Sequence, residues 1–316
     1  MFFLNKIKTI KHLFSKYVVG FFQETSFFYI NRRKLYRLLF MGKNISFAGA
    51  RELNIKNSTT AGNYWHKVAL YLNHIYFLDK GSFFLDKQVQ DHIASADNPL
   101  GNAIVLRLLK SEYGSRLLAM VQDSPLGSPY LIDRFPSLSV TASTHLANVC
   151  EIYNSLRIDL HKGYVNFLDF GGGYGGLTRA LLGINSCIEV TIVDMPEMVK
   201  IQRDYLSLTT SSVQRVKFFN NISSIDSEVN YDLFNASFSL SETDEEYRIE
   251  IMRFIEKRCK SFFIIFQSQF LDSNNVVLMN KFKSDLCSKF ETKISNYTWY
   301  LPRNDVYVLF GKVKSL

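Results

Sequence analysis

Apolar positions along the 316-residue chain fall into two rhythms. As far as residue 156 they recur every three or four residues. In MFFLNKIKTIKHLFSKYVV the residues Phe3, Ile7, Ile10, Phe14 and Val18 form one stripe, and Lys6, Lys8, Lys11 and Lys16 lie off it. That is the pattern of an amphipathic helix. The same spacing predicts helices over 63–78, 101–121 and 143–156, with Asp97-Asn98-Pro99 and Ser124-Pro125-Leu126-Gly127 as turns. From residue 165 short apolar runs alternate with helical segments. VNFLDF (165–170), IEVTIVD (188–194), VKFFN (216–220), YDLFNAS (231–237) and SFFIIFQ (261–267) read as strands. Helices are expected over GLTRALL (176–182), from Pro196 onward, over 244–259 and near 276–290. Alternating strands and helices imply a parallel sheet covered on both faces. Two strand-like runs, 293–301 and 305–313, follow each other without a helix and predict an antiparallel hairpin at the sheet edge.

Composition adds a division of charge. Hydrophobic residues make up 47% and charged residues 21%, enough apolar material for a packed core. The net charge of +8 belongs wholly to residues 1–43, which hold nine Lys or Arg and one acid, Glu24; the rest carries 28 of each sign. The chain therefore reads as a basic amphipathic segment (1–43), a helical region (44–139) that docks or binds an acceptor, and an α/β domain (140–316). The basic segment suits docking on its own domain, on a second copy in a homo-oligomer, or on an anionic membrane surface. It holds no nucleic-acid reader motif, so no nucleic acid is expected. No apolar run reaches the roughly 20 residues of a spanning helix, and no signal-peptide pattern opens the chain. A cytoplasmic protein is expected, with peripheral contact at the inner membrane face as the variant the basic segment allows. Cys150, Cys187, Cys259 and Cys287 lack metal or redox spacing.

The chemistry concentrates at FLDFGGGYGGLTRALL (167–182). Five of the six residues 171–176 are glycine, between a strand and a helix, where an open α/β sheet binds nucleotides. The spacing also fits the dinucleotide pattern G-x-G-x-x-G. Asp169 separates the two readings. A carboxylate beside a pyrophosphate would repel it, whereas S-adenosyl-L-methionine (SAM) carries a cationic ammonium and no phosphate. Asp169 with Gly171, Gly173 and Gly175 fits the D/E-x-G-x-G-x-G pattern of class I methyltransferases, and Tyr174 inside the loop is expected near the methionine tail. Asp194 ends the second strand, 19 residues after Gly175, where a carboxylate can take two ribose hydroxyls, with Met195 beside it. Asn220 and Asn221 follow the third strand, placed either for the adenine amino group or as turn residues.

FLDFGGGYGGLTRALL, TIVDMPEMVKIQRDYL and YDLFNASFSLSE together resemble the bacterial sugar O-methyltransferases found with polysaccharide-synthesis functions, over roughly residues 140–316. The resemblance implies a Rossmann-like class I methyltransferase sheet ending in an antiparallel edge strand, SAM as methyl donor, and a sugar hydroxyl as acceptor in cell-surface polysaccharide or glycan synthesis. A sugar hydroxyl is a poor nucleophile, so a general base is expected. Glu242, after the fourth strand, is the first candidate, and Ser239 nearby a substrate-binding residue. Against this, Thr243-Asp244-Glu245-Glu246 reads as a capping box that would make the acids there structural. His145 is the second candidate, against the commoner structural role of a lone helical histidine. No metal-ligand set is spaced along the chain. Still open are a small-molecule O- or N-acceptor, a non-catalytic SAM-binding module and, most remotely, an NAD enzyme.

Overall fold

The rhythm after residue 165 builds a seven-stranded sheet. Its strands are β1 (Val165–Phe170), β2 (Ile188–Val193), β3 (Val216–Phe219), β4 (Leu233–Ser237), β5 (Ser261–Gln267), β6 (Phe290–Asn296) and β7 (Val306–Val313). The computed structural model describes residues 60–300 and 304–314. The expectations for the basic segment 1–43 lie outside the described residues, as do residues 44–59.

Across the sheet the order is β6-β7-β5-β4-β1-β2-β3. The first five strands in sequence are parallel, while β7 runs antiparallel to both β5 and β6. This is the Rossmann-like sheet with an antiparallel C-terminal edge that the sequence implied. β5 is buried along SFFIIF, with Phe262 through Phe266 all at 0% exposure, as a strand covered on both faces must be. Burial of each such side chain contributes about 1.5–3 kcal/mol.

Nine helices are described: α1 (Ala61–Leu78), α2 (Lys87–His92), α3 (Asn98–Leu108), α4 (Glu112–Met120), α5 (Val140–Leu156), α6 (Gly176–Ile184), α7 (Pro196–Thr209), α8 (Glu245–Arg258) and α9 (Asn275–Leu286). The single helix expected over 101–121 is two. Ser111 stops the run by accepting from Gly114 N at 3.0 Å as the N-cap of α4. A side chain at Gly114 would meet the Leu108 carbonyl oxygen at 2.4 Å, so the chain folds back more tightly there than a continuous helix allows. The apolar periodicity runs through the break because α3 and α4 bury the same kind of face.

The helical region packs directly on the α/β part. Val68, Leu72 and Ile75 of α1 share one core with α5, α6, α7 and one face of the sheet, while α8 and α9 cover the other face. Polar ties fix α1 on α7: Asn73 Nδ2 donates to the Glu197 carbonyl at 2.8 Å, and Tyr76 Oη to Asp204 at 2.8 Å. Lys80 adds an ion pair to the same Asp204 at 2.7 Å. No described helix is long and apolar enough to cross a membrane.

Candidate functional site

β1 lies between β2 and β4, where the strand order reverses and an open α/β sheet leaves a crevice at its carboxyl ends. A cavity of about 810 Å³ occupies that place, within the range of small-molecule and cofactor sites. The sheet ends and the glycine loop form part of its wall; α1, α2 and the turn after β4 form another part.

The loop is held by backbone geometry that side chains resist. Gly171 and Gly173 have φ of +71° and +59°. A Cβ on Gly171 would stand 2.2 Å from Ser239 Cβ, whereas one on Gly173 would meet nothing nearer than Ile93 at 4.0 Å. Gly171 is thus required by packing, and Gly173 leaves backbone open toward the cavity. Gly175, at φ +93°, turns the chain into α6 as its N-cap.

Asp169 faces this loop from the end of β1 and is 2% exposed. Its Oδ1 accepts from Asn235 Nδ2 at 2.9 Å, across the registered β1–β4 pair. Its Oδ2 is buried with no partner and lies 3.2 Å from where a Gly172 Cβ would stand. Desolvation pushes the carboxyl up to about 6, opposed by the Asn235 bond and by the nearby Thr178 hydroxyl. Asp194 at the end of β2 accepts from Met195 N at 2.8 Å and from Gln202 Nε2 at 2.7 Å. Burial raises it to about 7, and the Asp169 charge adds to the shift. A carboxylate offers about four lone-pair sites, so both oxygens of Asp194 keep room for hydroxyl donors. The same Gln202 Nε2 donates to the Gly173 carbonyl at 2.8 Å, tying the loop to Asp194. The sequence reading missed Gln202; its place on the buried face of α7, eight residues after Asp194, was the available signal.

The remaining expected residues separate. Met195, Asn220, Tyr174, Ser239 and His145 line the cavity. Asn221 does not: its Oδ1 accepts from Ser223 N and Oγ, both at 3.0 Å, making it a turn residue. Tyr174 is 4% exposed, with its ring edge-on to Phe84 and Tyr205 at 4.7 and 5.1 Å between centroids, so it is largely core. Ser239 donates its hydroxyl to the Phe170 carbonyl and fastens the turn after β4 onto β1. His145 lies on α5 with Nε2 buried and unpartnered; burial lowers it to about 4, so it is neutral at pH 7 and a weak base.

Glu242 closes the turn Ser239–Glu242 and lines the cavity. Its Oε1 accepts from Gln267 Nε2 at 2.6 Å, while the Ser241 hydroxyl beside that amide donates to the Phe238 carbonyl at 2.6 Å. Desolvation raises the carboxyl to about 7, with Gln267 and the Trp65 indole N–H opposing. The expected capping box is absent. Thr243 Oγ1 donates back to the Leu240 carbonyl at 2.9 Å, and Asp244, the N-cap of α8, makes no side-chain cap bond. Asp244 Oδ1 instead accepts from Gly62 N at 3.2 Å, at the start of α1. The demand of the distant helix outweighs the local pattern. Tyr64, Trp65 and His92 complete the wall; more than 75 residues before the glycine loop, they carried no signal in the sequence.

The charge of the lining is one-sided. Asp91, Asp169, Asp194, Glu242 and Asp244 face the cavity, and among the described residues no Lys or Arg does.

No family model matches the chain, and no curated protein matches it. Solved structures similar to it include a precorrin-6y C5,15-methyltransferase from Geobacter metallireducens GS-15 (14% identity, 55% of this chain and 88% of that one, TM-score 0.39). Another is the glycopeptide N-methyltransferase MtfA complexed with sinefungin (14% identity, 53% and 85%, TM-score 0.42). A third is the pyocyanin biosynthetic protein PhzM (17% identity, 55% and 57%, TM-score 0.38).

Proposed function

We propose that the protein is a SAM-dependent methyltransferase whose acceptor is a hydroxyl group of a sugar. The observation that carries the donor assignment is the cavity's charge: carboxylates without a described Lys or Arg, and the unpaired Asp169 Oδ2 beside the glycine loop. A pyrophosphate would be repelled there, and a donor bearing an ammonium and a sulfonium would be attracted. Bound SAM supplies a methyl group on a positively charged sulfur. Asp169 would hold the ammonium, Asp194 the ribose hydroxyls, and Met195 and Asn220 the adenine side. The open backbone at Gly173 lets the ligand lie close to the loop.

Glu242 is placed to take the acceptor's proton. A carboxyl raised to about 7 has proton affinity matched to physiological pH, and the Gln267 bond holds its Oε1. The rest of the rate comes from alignment in a site shielded from water. The sugar acceptor rests on the resemblance of residues 140–316 and agrees with a cavity that pairs aromatic rings with carboxylates and amides.

Calorimetry with S-adenosylhomocysteine against NAD tests the donor. Binding of S-adenosylhomocysteine alone is expected; binding of NAD alone overturns the reading. Labelled-methyl transfer from SAM to sugar nucleotides and glycan lipids tests the acceptor, and Glu242→Gln is expected to lower turnover about 100-fold or more with S-adenosylhomocysteine affinity unchanged.

A further inference from the structure

Tyr64 of α1 and His92 of α2 form a hydrogen-bonded pair in the cavity wall, apart from the sheet ends that carry the glycine loop. Tyr64 Oη lies 2.8 Å from His92 Nε2, and His92 Nδ1 lies 2.8 Å from the Gln88 carbonyl oxygen. A carbonyl oxygen can only accept, so Nδ1 carries a proton. In the neutral ring Nε2 is then an acceptor, and Tyr64 must donate to it. A phenol has one proton. With it committed to His92, the Tyr64 oxygen has only lone pairs to offer a ligand.

The surroundings hold this arrangement in place. The Tyr64 ring is edge-on to Trp65 at 5.7 Å and to Phe270 at 5.6 Å. Desolvation, with the charges of Glu242 and Asp91, raises its pKa, so it stays a phenol. The charged groups on this side are Asp91, Glu242, whose Oε1 accepts from Gln267, and Asp244, whose Oδ1 accepts from Gly62 N. These carboxylates too are acceptors, while the buried Trp65 indole N–H beside them is a donor. With its carboxylates and no described Lys or Arg, this part of the wall offers an anion little.

We propose that Tyr64, its polarity fixed by His92, binds the acceptor substrate by receiving one of its O–H or N–H groups. The portion of the acceptor that enters is accordingly not an anion, and any phosphate it carries stays outside the cavity. This rests on the methyl-transfer reading above, as it takes this end of the cavity to be the acceptor's.

The test uses the full chain saturated with S-adenosylhomocysteine and three probes in ligand-observed NMR titrations: methyl hexopyranosides, the matching hexose phosphates, and tetramethylammonium. Binding of at least one methyl hexopyranoside is expected, with the phosphate weaker than its neutral parent. Tyr64→Phe keeps the ring and removes the oxygen; it should weaken the glycoside about three- to tenfold, the size of one neutral hydrogen bond. His92→Leu frees the phenol to rotate and should cost a similar factor, while the double variant should be little worse than either single one. S-adenosylhomocysteine affinity should not move in any of them. Preference for the phosphate or for tetramethylammonium, wild-type glycoside affinity in Tyr64→Phe, or no probe bound overturns the proposal. Failure to bind S-adenosylhomocysteine at all counts instead against the donor assignment, so the two readings fail separately.

Discussion

Phe238, the residue that turns the chain out of β4 into the cavity wall, has φ +70° and ψ −35°, a region that residues with a Cβ avoid. Its ring meets Tyr300 edge-on at 5.9 Å between centroids. Glycine at 238 should therefore be more stable than alanine there by about 1 kcal/mol in urea denaturation, although both lose the ring. Equal stabilities would show that the turn relaxes at no cost. At Gly173 the opposite substitution is informative. Gly173→Ala adds a methyl toward open cavity, so S-adenosylhomocysteine affinity should fall tenfold or more while stability drops by only about 1 kcal/mol, the cost of a side chain at positive φ. Legibility in the sequence follows the same lines. Asp169 and Asp194 could be read because each sits beside a local landmark, a glycine run and a strand end. Ser239 and Tyr174 share those landmarks and line the cavity as well, but the hydroxyl of one bonds backbone and the ring of the other packs in the core, a choice made by neighbours distant in sequence.

At the level of elements, strands and their order were readable, since a run such as SFFIIF can be satisfied only between two covered faces. Helix limits were less so. The periodicity of 101–121 continued through a turn, and the T-x-x-E pattern at 243–246 lost its aspartate to another helix. That loss couples α1 to the turn after β4 through one carboxylate, with Gly62 close enough that an added Cβ would stand 2.4 Å from Asp244 Oδ2. Asp244→Ala should speed amide hydrogen exchange across the first turn of α1, Gly62 to Trp65, and leave exchange in β1 and β4 unchanged. Slower or unaltered exchange in α1 would remove the coupling.

Across the whole molecule, proton balance ties the cavity to stability. Asp169, Asp194 and Glu242 hold protons more tightly folded than unfolded, at about 6, 7 and 7. Their stabilisation is complete below the ordinary carboxyl range and is lost as pH rises through those values. His145, lowered to about 4, acts in the other direction, but only below its ordinary value of 6.5. From pH 6.5 to 8 the melting temperature of the ligand-free protein should therefore fall. S-adenosylhomocysteine should restore it, and its binding should release protons, measurable by calorimetry in buffers of different ionisation enthalpy. A flat profile would mean that these carboxyls ionise as they do in water. The position of β7 carries a consequence for biosynthesis. It is the last described strand, yet it pairs on both sides, between β5 and β6. During translation the apolar edge of β5 has no partner until residues 306–313 have left the ribosome, and an unpaired apolar edge is a template for association with another chain. Nascent chains stalled before Val306 should be the ones that chaperones hold.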